Sequence, residues 1–285
     1  LAERVNFLNI TAFSKALYST WIYYSPERIL FDAGEGVATM LSNKIYAARY
    51  VFLTHGHVDH IAGLWSIINT RNNAMGDREK PLTVYYPQGN KGIEIYAGFL
   101  KRANSELKFK LDFVGVGSSD KVFLRDSGSF TRYIQPFPVS HTYSEISYGY
   151  HVIDVRRRLK EEYRDISGAE IAQLVKEMGS DAITETYEKK VLTISGDTIL
   201  LKKEDILDTD VLFHECTFLK KEDRKFNNHA ALDDIVELVK DTQVKTLVLY
   251  HISSRYISVL DKTLRKIAIP GVKILYVHPE KIFEM

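Results

Sequence analysis

Short apolar runs recur along the chain: Arg28 to Phe31, Tyr50 to Leu53, Leu82 to Tyr86, Val191 to Ser195, Val211 to His214, Thr246 to His251 and Val272 to Val277. They are rich in β-branched and aromatic residues and too short for helices, which predicts buried strands. Between several of them apolar positions return at helical spacing, as in Gly92 to Ala103, Ala231 to Lys240 and Ile61 to Asn69. Strand alternating with helix predicts an α/β fold. With no linker-like composition and no repeat of about 20–50 residues, the chain reads as one domain over 1–285 with an insert at 155–190.

Several strand-like runs stop at a lone histidine or aspartate. Tyr50 to Leu53 runs into Thr54-His55-Gly56-His57-Val58-Asp59-His60, which holds four potential metal ligands. Three more runs end the same way, at His141 after Phe137-Pro138-Val139-Ser140, at Asp197 after Val191 to Gly196, and at His251 after Thr246 to Tyr250. A strand end is a rigid place from which to push a ligand into a cleft. Imidazoles with carboxylates suit zinc, with manganese or iron as alternatives. Four ligands in one loop do not fit comfortably around one tetrahedral ion, so ligands downstream are expected. The competing reading is a turn carrying surface histidines.

Composition changes this picture only at the margins. A chain of 285 residues, 45% hydrophobic, can bury a sizeable core. One cysteine, Cys216, excludes an internal disulfide and suits a reducing cytoplasm; it is expected as a small buried residue, not a ligand. No run reads as a transmembrane span or signal peptide, so no membrane partner is expected. The chain opens at Leu1 without a methionine, so its start is expected to be trimmed or misassigned. The formal net charge is +1, little for a nucleic-acid enzyme, which leaves local basic patches to do any such binding.

The order T-H-G-H-x-D-H, then His141, then Ser195-Gly196-Asp197-Thr198, then His251 resembles the metallo-β-lactamase superfamily. Further matches resemble tRNase Z, the endonuclease family that trims the 3′ end of precursor tRNA. They are Phe31-Asp32-Ala33-Gly34-Glu35-Gly36, Arg78-Glu79-Lys80-Pro81-Leu82, His214-Glu215-Cys216-Thr217 and His251-Ile252-Ser253-Ser254-Arg255-Tyr256. The resemblance runs from about Asn9 to the C-terminus, with Val155 to Lys190 weakly covered. It implies a four-layer αββα sandwich with an inserted arm. Three features depart from the family: Phe13 to Leu17 replaces a glycine-rich turn, Ala230 follows His229 where a serine or threonine is common, and the insert lacks a Gly/Pro-rich tip.

By this resemblance one zinc takes His55, His57 and His141, a second takes Asp59, His60 and His251, and Asp197 bridges them. Two cations about 3.5–4 Å apart need such a shared anion, and metal coordination would ionise a water near neutral pH as nucleophile. Asp59 would both ligate and orient it. Glu215 and His229 match the family's proton donor for the departing 3′ oxygen, the carboxylate holding the imidazole protonated; a histidine at a helix entry is the alternative for His229. His214, one residue before Glu215 on an extended stretch, should point the other way. Asp32 is expected to hold a metal-bound imidazole. His151 and His278 have no assigned role.

For substrate contacts, Arg255 is a candidate phosphate clamp or a surface arginine. Arg156-Arg157-Arg158-Leu159-Lys160 opens the insert and Lys189-Lys190 closes it, around helical apolar spacing at Ile171, Leu174 and Val175. This reads as a basic stem bearing an amphipathic helix that grips tRNA phosphates, reading shape and backbone. Glu161, Glu162 and Asp165 dilute the charge, and a solvated hairpin is the alternative. Lys220-Lys221 and Arg224-Lys225 form a second patch before His229, either an RNA guide or a solvent-facing loop. The implied function is cleavage of precursor tRNA to a tRNA 3′-hydroxyl and a trailer 5′-phosphate, by a cytoplasmic homodimer. A hydrolase of small phosphodiesters or other esters on the same fold is the second reading, and a metal-free tRNA-binding protein the third.

Overall fold

The computed structural model describes residues 9–74 and 80–285. The expectations on Leu1 to Val5 and on Arg78 and Glu79 lie outside the described residues. In chain order the strands are β1 (Ile10–Lys15), β2 (Ser19–Tyr24), β3 (Ile29–Phe31), β4 (Tyr50–Phe52), β5 (Leu82–Pro87), β6 (Leu111–Val116), β7 (Val122–Asp126), β8 (Phe130–Val139), β9 (Ser147–Leu159), β10 (Thr184–Ile194), β11 (Thr209–Glu215), β12 (Thr246–Tyr250), β13 (Lys273–Tyr276) and β14 (Phe283–Glu284). They form two seven-stranded sheets, ordered β14-β1-β2-β3-β4-β5-β6 and β13-β12-β11-β10-β9-β8-β7. β3 to β6 run parallel, as do β10 to β13.

The sheets face each other across Phe31, Phe52, Tyr150, Ile194, Phe213 and Tyr250. Helices Leu64–Ala74 and Lys91–Ala103 cover the outer face of the first sheet through Leu64, Ile67, Ile68, Ile93 and Leu100. Helix Leu232–Val239 covers the second through Leu232, Ile235 and Val239. Apolar surface on both faces of each sheet therefore needs four layers, and the fold is the αββα metallo-β-lactamase sandwich. Among the described residues no helix is long and apolar enough to cross a membrane.

Two expectations about elements are corrected. Arg28 is not in a strand: it sits in the left-handed region (φ 57°) and turns the chain into β3. The helix expected over Ile61 to Asn69 is split into Val58–Ile61 and Leu64–Ala74. The break is at Gly63, whose amide donates to the Ala33 carbonyl at 2.7 Å, and where a Cβ would lie 2.2 Å from the Gly34 carbonyl oxygen. The ligand loop is thereby pressed against the Ala33-Gly34 turn, and only glycine permits that approach.

β9 and β10 project beyond the sheet as a hairpin, paired out to Leu159 opposite Thr184. Its tip carries the helix Gly168–Met178, capped by a reciprocal Ser167–Glu170 box, with no buried residue. The stem was expected to be basic, and here the structure adds a correction. Arg157 pairs with Asp181, Arg158 and Arg164 with Glu185, Arg156 with Asp154, and Lys160 Nζ donates to the Ala182 carbonyl. Residues 155–190 contain eight basic and eight acidic side chains, so the arm has no net charge.

His151, on β9, is buried; its ring stacks on Phe137 at 4.1 Å and Nδ1 lies 3.0 Å from Thr193 Oγ1. Burial, with the nearby Lys190 charge, pushes its pKa down to about 3. Below about pH 6.5 the unfolded chain takes up a proton that the folded chain refuses, so stability falls as pH drops from about 6.5 toward 3. The share from this residue is ~1.4 kcal/mol per pH unit. Urea unfolding of His151→Gln should show a shallower acid slope by that amount.

Candidate active site

The C-terminal ends of β3, β4, β10, β11 and β12 open at one edge of the sandwich, where polar side chains leave the parallel strands. β3 leads into Asp32, β4 leads through Thr54 to His55, His57, Asp59 and His60, and β10 leads through Gly196 to Asp197. β11 ends in Glu215, β12 leads to His251, and β8 leads to His141. Asp32 and His251 both hold positive φ (56° and 58°), backbone strain of the kind that functional sites retain. Gly196 (φ 63°) makes the turn that delivers Asp197; a Cβ there would sit 2.8 Å from the Tyr148 carbonyl oxygen.

The side chains converge. His55, His57 and His141 present ligand atoms within 4.8 Å of one another, as do Asp59, His60 and His251. Asp197 lies between the groups: its Oδ2 is 3.8 Å from His55 Nε2, 4.0 Å from His141 Nε2, 3.4 Å from His60 Nε2 and 3.3 Å from His251 Nε2. His55 Nε2, His60 Nε2 and Asp197 Oδ1 are buried without a hydrogen-bond partner among the described residues. Buried polar atoms without partners are costly, and aimed at one point they call for a cation. The residues present therefore fit a divalent metal.

The far nitrogens of the imidazoles are held as firmly. His60 Nδ1 meets Asp32 Oδ2 at 2.7 Å. His55 Nδ1 donates to Thr54 Oγ1 (2.9 Å), whose own proton goes to Asp32 Oδ2. His251 Nδ1 donates likewise to Thr217 Oγ1 (2.9 Å), whose proton goes to Glu215 Oε2. His141 Nδ1 donates to the Asn228 carbonyl at 2.8 Å. With a metal at the centre, each donation would leave Nε2 as the unprotonated nitrogen facing it. His57 differs: Nδ1 faces His141 Nε2 at 3.2 Å, while Nε2 faces Glu145 Oε2 at 3.4 Å. Burial would raise the pKa of Asp59, but the His251 hydrogen bond and the His60 charge bring it down to about 2.

Beside the cluster, His229 Nδ1 lies 2.9 Å from Glu215 Oε1. Glu215 is fully buried and also accepts from the amides of Thr198, Thr217 and Ala230. Burial tends to lower the His229 pKa, but the hydrogen bond and charge of Glu215, with Asp197, raise it. His229 stacks on His251 with centroids 5.3 Å apart.

The metallo-beta-lactamase superfamily model matches residues 18–251. A ribonuclease Z of Ligilactobacillus salivarius is 30% identical over 272 residues, covering 86% of this chain and 84% of that protein. The chain belongs to the ribonuclease Z family. Among solved structures, human tRNase Z, short form, superposes with a TM-score of 0.61 at 18% identity, covering 96% of this chain and 98% of that one. A diphosphatase from the PhnP family superposes with a TM-score of 0.60 at 16% identity, covering 97% and 98%. Likeness at that level shows the fold alone, so sequence carries the family membership.

For a ribonuclease Z the remaining expected residues fall in two places. Asp32, Glu215 and His229 join the metal cluster. Arg255 is exposed beside it, its guanidinium over the Phe218 and Tyr256 rings at 5.7 and 6.0 Å; Phe218 in turn neighbours His229. Arg156, Arg157, Arg158 and Lys160 lie on the arm in the contacts given above. Cys216 is buried among apolar residues, and His214 turns away from Glu215, its Nδ1 donating to the Glu215 carbonyl. In the second patch Lys221 and Arg224 both pair with Asp234. Sequence reasoning missed Thr54, Thr217, Glu145 and the Leu17 amide, which donates to Asp59 Oδ2 at 3.1 Å. A threonine beside a ligand in Thr54-His55 was the one visible signal.

Proposed function

We propose that this ribonuclease Z family chain is a two-zinc endoribonuclease that cuts precursor tRNA at its 3′ end, leaving a 3′-hydroxyl on the tRNA and a 5′-phosphate on the trailer. The observation that carries this reading is the Glu215–His229 pair, 2.9 Å apart, beside the cluster of unpartnered ligand atoms. In this reading His55, His57 and His141 hold one metal, Asp59, His60 and His251 the other, and Asp197 both; five imidazoles with two carboxylates favour zinc, with manganese second. Bound, the metals supply Lewis acidity and lower the pKa of water toward 7.

The chain's own residues do the rest. Asp59, a carboxylate whose pKa lies as low as about 2 even without a metal, orients the attacking water. His229, held protonated by Glu215, delivers its proton to the departing 3′ oxygen. Arg255, at the rim, meets the scissile phosphate. The hairpin over 155–190 is the tRNA-binding arm of a single domain. Because its charges offset one another, it recognises tRNA by shape and by exchanging internal ion-pair partners for phosphates. The half-exposed Ile171 and Leu174 and the exposed Val175 and Met178 on its helix suit contact with a second copy, and the enzyme is read as a cytoplasmic homodimer.

Replacing 160–183 with an Asn-Gly turn keeps the β9–β10 pairing. We expect the KM for precursor tRNA to rise at least about tenfold, one decade being ~1.4 kcal/mol of lost binding, with hydrolysis of a small phosphodiester unchanged. Unchanged tRNA cleavage would remove the arm from the account.

A further inference from the structure

We infer that Glu145 is a positioning residue for His57, holding the ring so that Nδ1, not Nε2, is offered to the metal centre. The inference rests on the two-metal reading and assigns within it the partner of its most exposed histidine. His57 is 45% exposed at the side chain, whereas His55, His60 and His141 are fully buried there. Packing therefore does little to orient it, and a directed contact must.

Glu145 supplies that contact from an anchored position. Its Oε1 accepts from the Gly56 amide at 2.7 Å and from Asn90 Nδ2 at 2.9 Å. Asn90 is itself buried, donates also to the Ile146 carbonyl, and caps helix Lys91–Ala103 by accepting from the Ile93 amide. The carboxylate is thus tied to a helix terminus and to the ligand loop at once. Its second oxygen, Oε2, faces His57 Nε2 at 3.4 Å. Gly56 makes this approach possible: a Cβ there would meet Glu145 Oε1 at 2.6 Å and Asn90 Oδ1 at 2.9 Å.

The chemistry follows from the ring. A neutral imidazole has one N–H and one lone pair. With Nδ1 turned to His141 and the centre, Nε2 carries the proton, and a carboxylate oxygen opposite it is the matching acceptor. The four other histidines use Nε2 toward the centre and hold Nδ1 by threonine, carbonyl or Asp32. His57 is reversed, and Glu145 is the group that makes the reversed tautomer favourable.

Two variants of the zinc-loaded protein test this by chelator competition, which reads metal affinity apart from activity. Glu145→Gln keeps an oxygen for Gly56 and Asn90 but turns an amide donor, or a neutral oxygen, toward His57. We expect one of the two zincs to bind about 10–100-fold more weakly, the other as before, with apo-protein thermal unfolding unchanged. Glu145→Ala should show the same selective loss. A cavity of about 450 Å³ lined by His57, Asn90, Thr142 and Glu145 admits acetate, which should partly restore that variant's affinity. Wild-type affinity at both sites in Glu145→Gln would overturn the inference, leaving Glu145 a loop anchor only. Equal weakening of both zincs would overturn it as well. A parent protein that holds fewer than two zincs would refute the two-metal reading itself.

Discussion

Asp197→Asn is expected to hold at most one metal and to lose at least about 10,000-fold in cleavage rate, since in the two-metal reading the metals would supply both nucleophile and Lewis acid. The asparagine preserves the shape of the side chain and removes its charge. In the parent, Oδ2 lies within 4.0 Å of ring nitrogens from His55, His60, His141 and His251, and Oδ1 is buried without a partner among the described residues. Two cations held by imidazoles need an anion between them, and Asp59 alone serves one side. Burial would raise the Asp197 pKa, yet the surrounding histidine charges, His251 first and His60 next, hold it well below the usual range. Elemental analysis after desalting, followed by a cleavage assay, reads both effects. Two metals retained with activity within about tenfold of the parent, ~1.4 kcal/mol, would show that Asp197 does not bridge.

The second large effect is expected at His229. His229→Ala should keep both metals and lose about 10²–10⁴ in kcat, the usual worth of a positioned general acid. The loss should nearly vanish on an aryl phosphodiester whose leaving group needs no proton. That contrast separates proton delivery from structural damage, because a distorted centre would slow both substrates. Glu215→Gln should lower kcat similarly through His229, whose raised pKa depends on that carboxylate. It should also destabilise the chain, since Glu215 accepts the buried amides of Thr198, Thr217 and Ala230. Equal losses on both substrates would remove His229 from the proton-transfer role.

Most of the parallel strands were legible because buried strands read as continuous apolar runs: β3, β4, β5, the last residues of β10, β11, β12 and β13 all announced themselves so. β6, β1, β2, β7, β9 and the first part of β8 did not. Ser19–Tyr24 is buried along its whole length yet begins Ser-Thr, and the aromatic, charged and proline-bearing β8 has no single period. The clustered histidines were visible because the runs Tyr50 to Leu53, Phe137 to Val139 and Thr246 to Tyr250 each lead into one or more of them. What holds them was not: Glu145 lies in a loop after His141 and finds Gly56 and Asn90 only through tertiary folding. The arm's sequence began with three arginines, but the register that sets Arg158 opposite Glu185 is a property of the hairpin, and it leaves the stem without the free positive charge that the local run suggested.

The most direct test of the account is cleavage of two end-labelled precursor tRNAs, one with and one without an encoded CCA, by the zinc-loaded protein and its Asp59→Ala variant. The account predicts a single endonucleolytic cut near the tRNA 3′ end by the parent, a 3′-hydroxyl on the tRNA fragment, and no cut by the variant. Failure of the parent to cut either RNA, with two metals bound and a small diester hydrolysed instead, would contradict it and establish the small-ester hydrolase.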